Sequence, residues 1–128
     1  MPTTNYFSNL TKHQYINLVT YRKSGEGVGT PVWFAQDGNR LFVTTSPEAW
    51  KVKRIRKNPR VQVGPSDMGG KPLGAAVDAQ ARIMSGEECK VADKLLDAKY
   101  GLMYKAMRLR ARGSNNPNNS VFIEITPP

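Results

Sequence analysis

Apolar and polar residues alternate along this chain in short blocks, and glycine, proline, asparagine and aspartate punctuate the blocks. Gln14–Tyr21 (Q-Y-I-N-L-V-T-Y) puts Ile16, Leu18 and Thr20 on one face of a strand and Tyr15, Asn17, Val19 and Tyr21 on the other. A turn follows at Lys23–Gly27, and Thr30–Gln36 reads as a second strand with Pro31 at its start or on an edge. Asp37-Gly38 is a hairpin turn signal, with Arg40–Thr45 as the return strand. Ser46-Pro47-Glu48 then starts a helix with a serine cap, a proline at the first helical position and an acid in the first turn. Asn58-Pro59 ends that helix after about three turns.

Val61–Val63 resumes a strand, and Met68–Leu73 reads as a flexible loop. Gly74–Met84 alternates most cleanly, with Ala75, Val77, Ala79, Ala81 and Ile83 facing one way; such small inward residues suit a tightly curved barrel strand. Ser85-Gly86-Glu87-Glu88 is a capping box. The helix behind it should run to about Tyr100, burying Val91, Leu95 and Ala98, with Gly101 as its break. Leu102–Arg112 is a second helical piece, Gly113–Asn119 a polar loop, and Val121–Thr126 a last alternating strand. No internal repeat or linker divides the chain. Short antiparallel strands with two helical interruptions predict a mainly β domain, a small closed barrel with helices packed outside.

At 128 residues, the chain fits one domain. No apolar run approaches the roughly 20 residues of a membrane-spanning helix. The start M-P-T-T-N-Y-F-S-N-L shows no basic and then apolar leader pattern, so a cytoplasmic location is expected. A single Cys (Cys89) and a single His (His13) exclude an internal disulfide and argue against a structural zinc site. The net charge of +9 is localised: residues 51–60 carry +6 with no acid, and residues 99–128 carry +4. Concentrated basicity points to a located anion rather than to general solubility.

Hydrolytic chemistry lacks its parts. His13 sits in a polar segment, no G-x-S-x-G or H-E-x-x-H occurs, and Cys89 lies inside a predicted helix. Gly25-x-Gly27-x-Gly29 falls between hairpin strands, not before a helix, so it is no dinucleotide loop. No catalytic side chain is assigned. An anion site, in contrast, has many parts. In V-T-T-S-P-E-A-W-K-V-K-R-I-R-K-N-P (43–59) a strand end runs into a basic helix, whose N-terminal N–H groups and dipole suit a phosphate. That imbalance favours an imported cofactor performing the chemistry while the protein binds and orients it.

The stretches L-V-T-Y-R (18–22), V-G-T-P-V-W-F-A (28–35), K-V-K-R-I-R-K-N-P-R-V (51–61), A-V-D-A-Q-A-R-I (76–83), K-Y-G-L-M-Y (99–104) and V-F-I-E-I (121–125) span most of the chain. In that order they resemble the pyridoxamine 5'-phosphate oxidase-like FMN-binding split barrels, above all the deazaflavin (coenzyme F-420)-dependent oxidoreductase branch. The resemblance implies a six-stranded antiparallel split barrel, a homodimer, and an isoalloxazine-type ring bound at the subunit interface. By position, Thr30, Pro31, Val32 and Trp33 match the strand along the ring and ribityl chain. Thr44 and Thr45 match the strand end at the phosphate, Lys51 the phosphate lysine, with Lys53 and Arg54 as neighbouring candidates. Gly74 matches a position close to the ring. Trp50 stands where the oxidases proper carry a phosphate-binding arginine, which points away from pyridoxamine oxidation itself.

The resemblance leaves FMN and deazaflavin coenzyme F-420 as candidate cofactors; six bases in ten residues favour the more extended anion. The implied reaction is hydride transfer to a small electron-poor acceptor, quinone-like or conjugated, with protonation from water. Two other readings stand beside it. One is a flavin-binding carrier or sensor without turnover. The other is a nucleic-acid-binding basic barrel, with Arg54, Arg56, Lys57, Tyr21, Phe42 and Trp50 as its contacts; against it, the bases cluster on a helix rather than interleaving with aromatics on strands.

Overall fold

Seven strands and two helices of more than one turn organise the residues described by the computed structural model, which are 6–10, 13–45, 49–104 and 121–128. The strands are β1 (Tyr15–Tyr21), β2 (Gly27–Trp33), β3 (Ala35–Asp37), β4 (Arg40–Thr45), β5 (Arg60–Ser66), β6 (Val77–Ile83) and β7 (Val121–Thr126); the helices are α1 (Trp50–Lys57) and α2 (Glu88–Tyr100), and a 3-10 turn spans Ser8–Leu10. Residues 46–48, which carry the predicted helix start, lie outside the described residues, as do 105–112 of the second helical piece and the polar loop 113–119.

The strands form one antiparallel sheet in the order β2-β1-β5-β6-β7-β4-β3. Its two edges, β2 and β3, are separated in the chain only by Phe34. Laid flat, seven strands would hold their edges roughly 30 Å apart, whereas one residue spans about 3.5 Å. The sheet therefore curls into a half-barrel, and the chain steps from one edge to the other at Phe34.

That step corrects the predicted strand count from six to seven. The stretch expected as one strand over Thr30–Gln36 is two, broken at Phe34, whose side chain is fully buried in the core. β2 also begins earlier than expected, because Gly27 and Gly29 pair with Tyr21 and Val19 rather than turning. A Cβ on Gly27 would come within 2.9 Å of the Val19 Cγ1 atom, so the absence of a side chain lets the strands pair there.

Inside the curl, Ile16, Leu18, Val43, Val61, Ile123 and Ile125 pack with Val52 and Ile55 of α1. A second cluster lies outside it, where Ala92, Leu96 and Tyr100 of α2 cover Phe42 and Phe122. β4 thus buries both faces: Leu41 and Val43 inward, Phe42 under α2. Each fully buried large apolar side chain contributes about 1.5–3 kcal/mol relative to exposure.

The α2 register differs from expectation. Ala92, Leu96 and Tyr100 face the sheet, while Val91 and Ala98 are exposed and Leu95 is partly buried. The aromatic ring of Tyr100 docks on Trp33 and sets the helix rotation, which turns Val91 outward. Of the predicted capping box one half is present: Glu88 Oε2 accepts from the Ser85 backbone N–H at 2.8 Å, but the helix begins at Glu88 without a side-chain cap. Gly101 ends it as expected, with φ 55°.

α1 has eight residues, about two turns rather than three. β6 starts at Val77, not Gly74, because the preceding chain is tied to β5 by the Leu73 N–H to Pro65 carbonyl bond (2.9 Å). The loop expected to be flexible is held by Asp67, whose Oδ1 accepts from the N–H groups of Gly69 (2.9 Å) and Lys71 (2.8 Å).

Candidate functional site

α1 presents three kinds of position. Val52 and Ile55 point into the core. Trp50, Lys53, Arg54 and Lys57, spaced i, i+3, i+4, i+7, form the opposite stripe and line an open cleft of about 980 Å³ together with Tyr21, Arg22, Lys23 and Asn58. Lys51 lies between the two faces.

Lys51 is half-buried, and its Nζ donates to Thr45 Oγ1 at 3.4 Å. Burial, and then repulsion from Arg54, pushes its pKa below the ordinary lysine value. Among the described residues it forms no ion pair with a carboxylate. Arg54 is aimed by the fully buried Thr20, whose hydroxyl oxygen lies 3.2 Å from its Nη1. Thr45, Lys51 and Arg54 are therefore a cluster of one hydroxyl and two cations at the end of β4, a donor set that suits a phosphate.

The other predicted site residues are distributed more widely. Strand alternation turns Thr44 to the face opposite Thr45, so the two hydroxyls do not converge. Thr30 and Val32 stand opposite Leu18 and Ile16 and point into the barrel, whereas Pro31 and Trp33 point outward opposite Asn17 and Tyr15. The Thr30 hydroxyl is buried and has no hydrogen-bond partner among the described residues. Lys53 stacks its ammonium 4.5 Å from the Trp50 ring centroid, and Trp50 itself is 68% exposed. Gly74 is an exposed bend before β6; a Cβ there would meet the Pro65 ring at 2.9 Å, which accounts for glycine without any ligand.

Trp33 has a structural partner that the sequence reading did not foresee. Its ring stacks on that of Tyr100, with centroids 4.5 Å apart and an interplanar angle of 10°. The Tyr100 hydroxyl accepts from the Phe34 N–H at 3.0 Å and lies 2.6 Å from the Gln14 carbonyl oxygen. Lys99 donates to the His13 carbonyl at 2.9 Å and places its ammonium 3.5 Å from the Phe34 ring centroid. The described start of the 99–112 basic tract thus holds the strand step at Phe34. The contact set of the nucleic-acid reading is also altered: Phe42 is fully buried, with the Arg40 guanidinium 5.1 Å from its ring centroid. The cleft's use of Tyr21 and Lys23 comes from the end of β1 and its following turn lying beside α1, which no local pattern announces, whereas Asn58 is the residue that caps the C-terminus of α1.

Among the described residues, no cluster of three His, Cys, Asp or Glu side chains is placed to hold a metal ion. No helix among them is long and apolar enough to cross a membrane.

Solved structures share this fold. An F420 reductase is similar at 22% identity and a TM-score of 0.59, over 100% of this chain and 96% of its own. An FAD-binding protein from Mesorhizobium loti matches at 20% identity and a TM-score of 0.64, covering 94% of this chain and 85% of that one. HutZ, the heme storage protein of Vibrio cholerae, matches at 14% identity and a TM-score of 0.69, covering 91% and 83%. No curated protein matches the chain. At these identities the likeness carries the fold and not the ligand. The family model described as pyridoxamine 5'-phosphate oxidase matches residues 3–128, and the chain belongs to that family.

Proposed function

We propose that this protein is an oxidoreductase that binds a flavin-type cofactor, FMN or deazaflavin coenzyme F-420, at the interface of a homodimer. The cofactor would serve hydride transfer to a small electron-poor acceptor. The observation that carries this reading is Lys51: a half-buried ammonium with a lowered pKa, in contact with Thr45 Oγ1, beside Arg54 and without a carboxylate partner among the described residues. A cation disfavoured by burial gains most from an anion brought to it, and a phosphate supplies one.

In this reading Lys51, Thr45 and Arg54 hold the phosphate, with Thr20 keeping Arg54 in place. Thr30 Oγ1, buried and without a hydrogen-bond partner among the described residues, is a ready group for the polyol chain, while Val32 offers an apolar wall. Pro31, Trp33, Thr44 and Gly74 shape the surroundings, and Lys53 belongs to the adjoining cleft. The ring, when bound, supplies the hydride chemistry. The family membership and the structural likeness to an F420 reductase and an FAD-binding protein support a cofactor of this class.

The test is a fluorescence titration of the purified protein with FMN and with coenzyme F-420 at 0.15 M salt. Saturable binding of one of them at micromolar concentration, followed by turnover with a quinone-type acceptor, is expected. No binding of either overturns the reading. Binding without turnover of any acceptor reduces it to a carrier or sensor.

A further inference from the structure

From the cleft beside α1 we infer a second ligand site, for a nucleotide: an aromatic base carrying a diphosphate, free or as one half of a dinucleotide. Among the described residues, the cleft is lined by five lysines and arginines and by no carboxylate. One of the five, Arg22, is paired with Glu26 at 3.5 Å, which leaves Lys23, Lys53 and Lys57 as its own anion-facing cations, beside Arg54, which it shares with the phosphate cluster. Its volume of about 980 Å³ lies at the upper end of small-molecule pockets, ample for a group of nucleotide size.

Charge alone would suit any polyanion. The aromatic content narrows the chemistry. Trp50 keeps 68% of its surface exposed at the cleft wall, which is unusual for so large an apolar side chain. Lys53 covers one face of its ring at 4.5 Å. The open remainder is a platform on which a base can stack with a cation behind it. Tyr21 lines the same cleft, with the Arg60 guanidinium 5.9 Å from its ring centroid. A tail of carboxylates would engage the cations but leave the exposed Trp50 ring idle; a base with phosphates uses the ring and the cations. The cleft also adjoins the phosphate cluster, since Arg54 lines it and lies close enough to Lys51 to affect that group's ionisation. A dinucleotide would therefore place one phosphate at Lys51 and the base of its second nucleotide against Trp50.

The experiment is calorimetric titration of the whole chain with ADP, inorganic pyrophosphate, FMN and FAD at 0.15 M salt. ADP is expected to bind at least tenfold more tightly than pyrophosphate. Trp50→Ala and Lys53→Ala, both at exposed positions, should each remove roughly tenfold in ADP affinity while leaving FMN within threefold. Lys51→Ala should do the reverse. FAD binding tenfold more tightly than FMN, with the advantage lost in Trp50→Ala, identifies the dinucleotide as the source; equal FAD and FMN affinities with ADP still bound identify free nucleotide. ADP binding no better than pyrophosphate overturns the inference. So does a single-stranded oligonucleotide that binds more tightly than ADP with affinity rising with length. Failure of both FMN and coenzyme F-420 to bind, with ADP still bound, strikes the oxidoreductase reading and leaves this one standing.

Discussion

The hydroxyl oxygen of Tyr100 lies 3.0 Å from the backbone nitrogen of Phe34, the single residue joining the two edges of the sheet. One side chain from α2 thus satisfies the main chain where the ladder is interrupted, and the same ring stacks on Trp33. Tyr100→Phe keeps the stack and leaves the Phe34 N–H buried without that acceptor. A loss of about 1–3 kcal/mol in urea denaturation is expected; an unchanged midpoint would show that the step holds without the hydroxyl.

Lys99 and Tyr100 give this region a pH signature. Burial lowers Lys99 to about 8 from 10.5 and raises Tyr100 to about 12 from 10.0. Between about pH 8 and 10.5 the unfolded chain retains a Lys99 proton that the folded chain has released, so this group adds stability as pH rises. Above about pH 10 Tyr100 acts oppositely: the unfolded phenol ionises first and stability falls. Urea midpoints at pH 7.5, 9.5 and 11 should show a larger rise in the wild type than in Lys99→Met, where Lys51, lowered in the same direction, still contributes, with the later fall kept in both.

Lys51→Met should weaken FMN or coenzyme F-420 binding by roughly tenfold or more, the value of one charge-assisted bond to phosphate. Lys51→Arg should recover part of it, since the charge is retained but the fit against Thr45 is altered. Folding stability should hold or rise in Lys51→Met, because removing a half-buried ammonium relieves its desolvation. A Lys51→Met protein that keeps wild-type affinity would place the phosphate elsewhere.

Glu124 is nearly buried on β7 and accepts from Arg82 Nε at 2.9 Å and Arg40 Nη1 at 3.3 Å. Both arginines are about half exposed, so solvent screens the pairs. Glu124→Gln should cost about 1 kcal/mol, against about 0–0.5 kcal/mol for Glu26→Gln in the exposed Arg22 pair. Equal effects in chemical denaturation would remove the distinction between the two sites.

How much of this was readable beforehand differs by element. β4 and β7 match their expected bounds because hairpin and alternation signals are local. The inward face of β1 follows from period-two burial alone. The break at Phe34 was not legible, because W-F-A is continuous apolar sequence and only tertiary closure assigns its residues to different walls. The α2 rotation was hidden for a similar reason: Tyr100 has no local cue that outweighs Val91. At the site, Lys51 and Arg54 were legible as charge on a helix behind a strand end. The opposed faces of Thr44 and Thr45 were implicit in strand alternation, and carrying both over by position overlooked it.

β7 lies between β6 and β4, pairing with both, although those two strands lie on opposite sides of α1 and β5 in the chain. Until it is added, β4 with β3 and β6 with β5, β1 and β2 are separate sheets with facing edges unpaired. A nascent chain that has left the ribosome only as far as Tyr104 therefore has both edges bare at once. Barrel closure belongs to the moment residues 121–126 arrive, and before that moment the chain depends on its surroundings to keep those edges from finding other strands.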